Sequence, residues 1–332
     1  MTVSELRSAP LSDSIVTALI GAVEAYAEWN VLSKVYHNSQ AAISSMLDAQ
    51  DACHHIIAYG GEVDMRTVLQ DYCIENIGSS VGRYARVFQS CCYAAMQQKE
   101  VTGVLKAATL IKINHALCKA DETILKRKDS LYDDLPSVET LWFMLHELYR
   151  YKRQYHWLME SAIAFVRFLA FVGDEKLCVP AISILLASVF DNRSTFRGLS
   201  MQWTLLTDPR KDFSVADGDE ALLHVLTVFE KMWRHHSAMI YQAEEMKNDL
   251  TLRVYERCPS LNSPKLVDFL SSRVYTRNRE YCERMSVSGK TAIQHLTLLE
   301  KNGILYSHKD GRNKYYFNSV YTEWSQRLAE MV

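Results

Sequence analysis

Proline and glycine are scarce, 6 and 12 residues in a chain of 332. That leaves little room for low-complexity linkers, and an ordered globular chain is expected. No apolar run approaches the roughly 18 residues needed to span a bilayer, and the opening MTVSELRSAPLSDS has neither a basic n-region nor an apolar h-region. A cytoplasmic chain with no membrane partner is the expectation. The eight cysteines, at 53, 73, 91, 92, 118, 178, 258 and 282, form no CxxC pair and no framework spacing, so reduced, mostly buried thiols are predicted. Before residue 300 nothing alternates with period two for long enough to propose a sheet. The first 250 or so residues therefore read as all-α.

What is present is helical periodicity. Residues 14–32 place Ile15, Leu19, Val23, Tyr26 and Asn30 on one row, with Val16, Ile20 and Ala27 beside it. Further helical patterns run through 40–58, 64–75, 80–98 and 101–120, interrupted at Gly60-Gly61, Gly78 and Gly103. Another begins after Pro136, with Ser137 as N-cap and Val138, Leu141, Trp142, Leu145 and Leu148 on one face. His156 to Val172 and Val179 to Phe190 are apolar on nearly every face, as in the middle of a bundle. A long pattern follows from Ala221 to about Arg253.

After Cys258-Pro259-Ser260-Leu261-Asn262-Ser263-Pro264 the texture changes, and Ser263 before Pro264 is a good N-cap and N1 pair. The net charge of -2 hides an asymmetry: residues 264–320 hold ten Lys or Arg against five acids. A segment so basic in an otherwise acidic chain points to a polyanion as partner. SPKLVDFLSSR and TRNREYCERM read as two short helices, SVS as a turn, and GKTAIQHLTLLEKNGIL as a third helix with Ala292, Leu296 and Leu299 inward and Asn302-Gly303 closing it. LYSHKDGRNKYYFN then reads as two strands around Asp310-Gly311.

Three helices followed by a basic hairpin is the order of a winged helix-turn-helix. Residues Ser288 to Leu305, S-G-K-T-A-I-Q-H-L-x-x-L-E-K-N-G-I-L, resemble the recognition helix and following strand of many bacterial winged-helix regulators. The resemblance implies that the start of the third helix enters the major groove of double-stranded DNA. Ser288, Lys290, Thr291, Gln294 and His295 are then the outward positions, with Gln294 best suited to pair with adenine. Lys309, Arg312 and Lys314 on the wing would neutralise phosphates.

Upstream, LPSVETLWFMLHEL (135–148), ESAIAFVRFLAF (160–171) and FDNRSTFRGL (190–199) resemble segments of the Fic fold, a helical bundle whose members often carry a C-terminal winged helix. Fic enzymes transfer a nucleotide monophosphate, usually from ATP, to a protein hydroxyl. Their HPFxxGNGRxxR loop supplies a histidine base and a glycine-rich anion nest that holds the phosphates and a metal ion. Here FLAFV runs directly into Gly173-Asp174-Glu175-Lys176, with Val172 where the base is expected and no Gly-Asn-Gly-Arg element. The island is expected to be a turn, and no catalytic residue, cofactor or metal is assigned.

Other constellations fall short on the same physical grounds. Gly82 to Arg86 reads GRxxR without a preceding HPF, and Asp71, Glu75 and Asn76 only approach the S/TxxxE form of an inhibitory Fic helix. His54-His55 and His235-His236 are adjacent, so on a helix they point about 100° apart, poorly suited to a shared metal. Cys91-Cys92 has no identifiable acid or base partner, and the aromatic and basic residues of 149–157 are read as a solvated helix face.

The expected fold class is therefore mainly α: a Fic-like helical bundle over 1–257, a linker at 258–263, and a winged helix-turn-helix domain over 264–332 with a two- or three-stranded wing. The expected function is a DNA-binding transcriptional regulator whose catalytically inactive Fic-like domain serves dimerisation or sensing, with a homodimer and an unidentified effector as further partners. The alternatives are a divergent Fic-type nucleotidyl or phosphoryl transferase and a protein-interaction adaptor.

Overall fold

The computed structural model describes residues 11–36, 157–172 and 218–330, with single positions 43, 46, 68, 83, 84, 86, 87, 90, 112 and 116. The fragments 135–148 and 190–199, the island at 173–176, His54-His55, Cys91-Cys92 and the aromatic and basic residues 149–155 lie outside the described residues.

The described chain is mainly helical, with one small antiparallel sheet near its C-terminal end, as the sequence predicts. Three helices form the upstream part: α1 (Asp13–Val35), α2 (Trp157–Val172) and α3 (Gly218–Arg257). At about 1.5 Å per residue, the 40 residues of α3 extend about 60 Å. Its buried residues include Leu222, Val225, Phe229, Met232, His236, Met239, Ala243, Met246 and Leu250, which alternate three and four apart. That is a seven-residue repeat, the spacing that keeps one seam of a long helix against its neighbours.

Beside this seam, one aromatic cluster joins the three helices. Trp29 and Trp233 have ring centroids 4.5 Å apart, and Tyr26 sits edge-on to both Trp157 at 4.9 Å and Trp233 at 5.2 Å. Such pairs contribute about 0.5–1.5 kcal/mol each beyond the area they bury. His236 is part of the same core, edge-on to Trp233 at 5.9 Å, so packing is the role the structure gives it.

The α1 helix is rotated relative to the face read from its sequence. Ile15, Ala22, Ala25, Trp29 and Leu32 are buried, Leu19, Val23 and Tyr26 lie half-buried at the edge, and Val16 and Ile20 are 40% and 53% exposed. Trp29 decides this, because no other side chain of the helix offers as much apolar area to α3. An 18-residue window of α1 has a mean hydropathy of 1.3, which by length and composition alone is enough for a membrane span. That departs from the expectation that no segment is apolar enough to span a bilayer, and here one side of the helix packs on α3.

Downstream of α3 come a 3-10 turn (Pro259–Leu261), α4 (Pro264–Ser271), β1 (Tyr275–Thr276), α5 (Asn278–Met285), α6 (Gly289–Lys301), β2 (Leu305–Asp310), β3 (Asn313–Asn318) and α7 (Ser319–Glu330). The sheet order is β1-β3-β2, antiparallel throughout. Beyond the expected helices and hairpin it contains β1, two residues long, and it is followed by α7. Ser263 caps α4 as predicted, its Oγ accepting from Leu266 N at 3.2 Å.

Asn318 ties these parts together from a fully buried position. Its Nδ2 donates to the Leu270 carbonyl at 2.9 Å, and its Oδ1 accepts from the backbone N–H groups of Val320 and Tyr321, capping α7. The unit is seated on α3 through α4 and α7. Arg253 holds Asp249 on its own helix and Glu323 on α7, the latter with two hydrogen bonds at 3.1 and 2.8 Å. Lys247 reaches Asp268 of α4 at 2.8 Å.

Candidate nucleic-acid interface

Helices α5 and α6 are joined by a three-residue turn whose geometry follows from two serines. Ser286 closes α5 in the left-handed region, φ 58° and ψ 45°, with its N–H donating to Cys282 O. Ser288 opens α6, its Oγ accepting from Thr291 N at 3.1 Å and lying 2.8 Å from the Thr291 hydroxyl. Two of the expected outward residues thus form the helix cap.

Burial of Ala292, Leu296 and Leu299 fixes the rotation of α6, as the sequence predicts. Lys290 and Gln294 are exposed on the opposite side. Ile293, between them in sequence and on the flank of the helix, is 52% exposed. His295 is turned away from that side. It is half-buried, and its Nδ1 shares a hydrogen bond of 3.2 Å with the hydroxyl of Tyr281 on α5. Burial pushes the Tyr281 phenol up to about 12, so it stays protonated at neutral pH.

The β2–β3 hairpin separates its cations in a similar way. Lys309 and Lys314 face each other across β2 and β3, an unfavourable like-charge pair unless one is neutralised. Lys314 is: its Nζ donates to Glu300 Oε2 at 2.9 Å and lies 4.6 Å above the Tyr316 ring. Glu300 also accepts from the Ser307 hydroxyl, and that bond, followed by the Lys314 bond, holds its carboxyl below the ordinary value. Lys309 and Arg312 remain exposed, Arg312 beside Gly311 in a two-residue hairpin loop where Gly311 takes φ +56°.

The same sorting explains where the positive charge of this segment goes. Asp268, Glu280, Glu283 and Glu300 are engaged by Lys247, Arg273 with Arg277, Arg279 and Lys314 respectively. Lys265, Arg284, Lys290, Lys301, Lys309 and Arg312 are exposed and in no ion pair among the described residues. Arg284, at the end of α5 beside the turn, was not singled out by the sequence. Its only signal was its charge, which it shares with the paired arginines 273, 277 and 279.

Such an arrangement suits an extended anion: a preorganised helix start bearing Lys290 and Gln294, with a hairpin bearing two unneutralised cations. Among the described residues no group of three or more His, Cys, Asp or Glu is placed to hold a metal.

Residues 246–321 match the family model described as protein adenylyltransferase SoFic-like, C-terminal domain. The match runs from the last turns of α3 to the start of α7, downstream of the three fragments on which the Fic resemblance was read. This part of the chain is therefore similar to a domain found at the C-terminal end of Fic-related proteins. No curated protein matches the chain.

Proposed function

We propose that residues 264–332 form a winged helix-turn-helix that binds double-stranded DNA, and that the chain is a cytoplasmic transcriptional regulator. The observation that carries this reading is the charge sorting: Glu280, Glu283 and Glu300 are taken up by pairs within the segment, while Lys290, Lys309 and Arg312 stay exposed at the helix start and hairpin. Exposed cations are ordinary on a protein surface, and it is the place of these three, at one helix start and one hairpin, that suits a phosphate backbone. Upstream, the helical part serves dimerisation or sensing of an effector. Transfer of a nucleotide is not assigned to it, because the sequence contains neither an HPF nor a Gly-Asn-Gly-Arg element to supply base and anion nest.

Titrating a labelled duplex with the full chain at increasing salt tests this. Affinity is expected to fall with a log-log slope of about -0.9 for each phosphate neutralised, and the double variant Lys290→Ala, Arg312→Ala to flatten it by about two phosphates. An unchanged slope in the double variant would remove both residues from the interface.

A transferase reading keeps one specific support, the description of the matched family as a domain of protein adenylyltransferases. Incubation of the chain with ATP labelled in its α-phosphate decides between the two. Label carried onto the protein or a co-incubated lysate, and lost on heat denaturation of the chain, favours the transferase.

A further inference from the structure

We infer that α6 reads an A·T-containing step, with Ile293 packed on the 5-methyl group of a thymine and Gln294 paired with an adenine next to it. This rests on the DNA reading above and names the sequence class that the surface recognises. A single exposed apolar side chain is ordinary on a protein surface. Ile293 differs by its company: it is half-exposed on a helix whose other apolar residues are buried, as are Ala292, Leu296 and Leu299, or partly buried against the core, as is Leu298. It stands three residues after Lys290 and directly before Gln294, on the flank of α6 next to the exposed side that those two residues occupy.

The chemistry of the major groove supplies a match for that pattern. Thymine's methyl is the one apolar group presented at a base edge there, and adenine N6 and N7 offer the donor and acceptor that one carboxamide satisfies at once. Branching at Cβ leaves isoleucine with few χ1 rotamers, so little side-chain freedom is lost on contact. Neighbouring residues on a helix diverge by about 100°, which directs Ile293 and Gln294 to different bases rather than the same one. Charge complementarity with the phosphate backbone, through Lys290, Lys309 and Arg312, selects duplex DNA over an apolar protein surface as the occupant.

The test uses the full chain. A preferred duplex is selected from a randomised pool, and each thymine in it is then replaced singly by uracil, which differs only by lacking the methyl. At one position the wild-type chain is expected to lose about fourfold in affinity, the worth of one buried methyl. Ile293→Ala is expected to bind the thymine and uracil duplexes equally, with an unchanged salt slope and an unchanged helical circular dichroism spectrum. Gln294→Ala is expected to relax the preference for adenine at the adjacent position.

Wild-type indifference to uracil at every thymine, with the full salt slope retained, overturns this inference and leaves DNA binding standing. Equal uracil penalties in wild type and Ile293→Ala overturn the role of Ile293. Absence of salt-dependent binding to any duplex overturns both the inference and the reading beneath it.

Discussion

Asn318 shows how much one short polar side chain can hold. It is buried, and both ends of its amide are used: one by the last turn of α4, the other by the first turn of α7. Asn318→Ala is expected to cost about 2–4 kcal/mol, combining a lost cap with a carbonyl left unpaired in the interior, measurable as a drop in denaturant midpoint. The Glu300 and Lys314 pair makes a different prediction. Glu300 is held below its ordinary value, so its contribution to stability is present above about pH 4.3 and lost as the pH falls through the lower folded value. Lys314 is raised, so its share persists to alkaline pH and fades only as the pH climbs through the higher folded value. Thermal melts of wild type and Glu300→Gln should therefore converge as the pH is lowered through the folded value of Glu300.

At the scale of elements, the turn between α5 and α6 carries the strain of this fold. Ser286 is the one non-glycine residue with positive φ among those described. An unbranched residue tolerates that conformation at a cost of about 1–2 kcal/mol, and a β-branched one does not. Ser286→Val is expected to lower the denaturant midpoint markedly, and Ser286→Gly to leave it equal or higher. Elements with a long repeat or a chemical punctuation were legible in the sequence: α3 from its spacing, α4 from Ser263-Pro264, α6 from its inward residues and Asn302-Gly303. The β1 strand was not, because two residues cannot display an alternation, and Thr276 and Tyr275 are recruited by β3 from across the chain. Nor was the orientation of His295, since a helical wheel places it near the exposed sector while only the position of Tyr281, 14 residues upstream, draws it inward. Lys314 was missed as a neutralised charge for the same reason: Glu300 lies 14 residues away, on another element.

Taken whole, the described chain is organised along α3, which packs with α1 and α2 and also seats the C-terminal unit. The junction after it is tied down, with Cys258 buried, Cys258 N donating to Val254 O at 2.9 Å, and Leu261 N donating to Cys258 O at 2.9 Å. Inserting Gly-Ser-Gly after Arg257 is expected to raise amide hydrogen exchange across 258–263 while sparing affinity for duplex DNA, because the proposed contacts lie beyond the insertion. The seven-residue repeat of α3 also makes its length a matter of phase. One residue inserted after His236 turns everything beyond it by about 100° relative to the tryptophan cluster and advances it about 1.5 Å, carrying α4 and α7 round together with Lys247 and Arg253, the α3 residues that tie to them. Seven residues inserted at the same point nearly restore the angle, at an extension of about 10 Å. The angle between the tryptophan cluster and the C-terminal unit is thus set by the length of α3 in phases of seven residues, whereas the Arg253 to Glu323 tie, with both ends beyond the insertion, is expected to survive either change and Glu323→Ala to cost each lengthened chain the same stability as the parent.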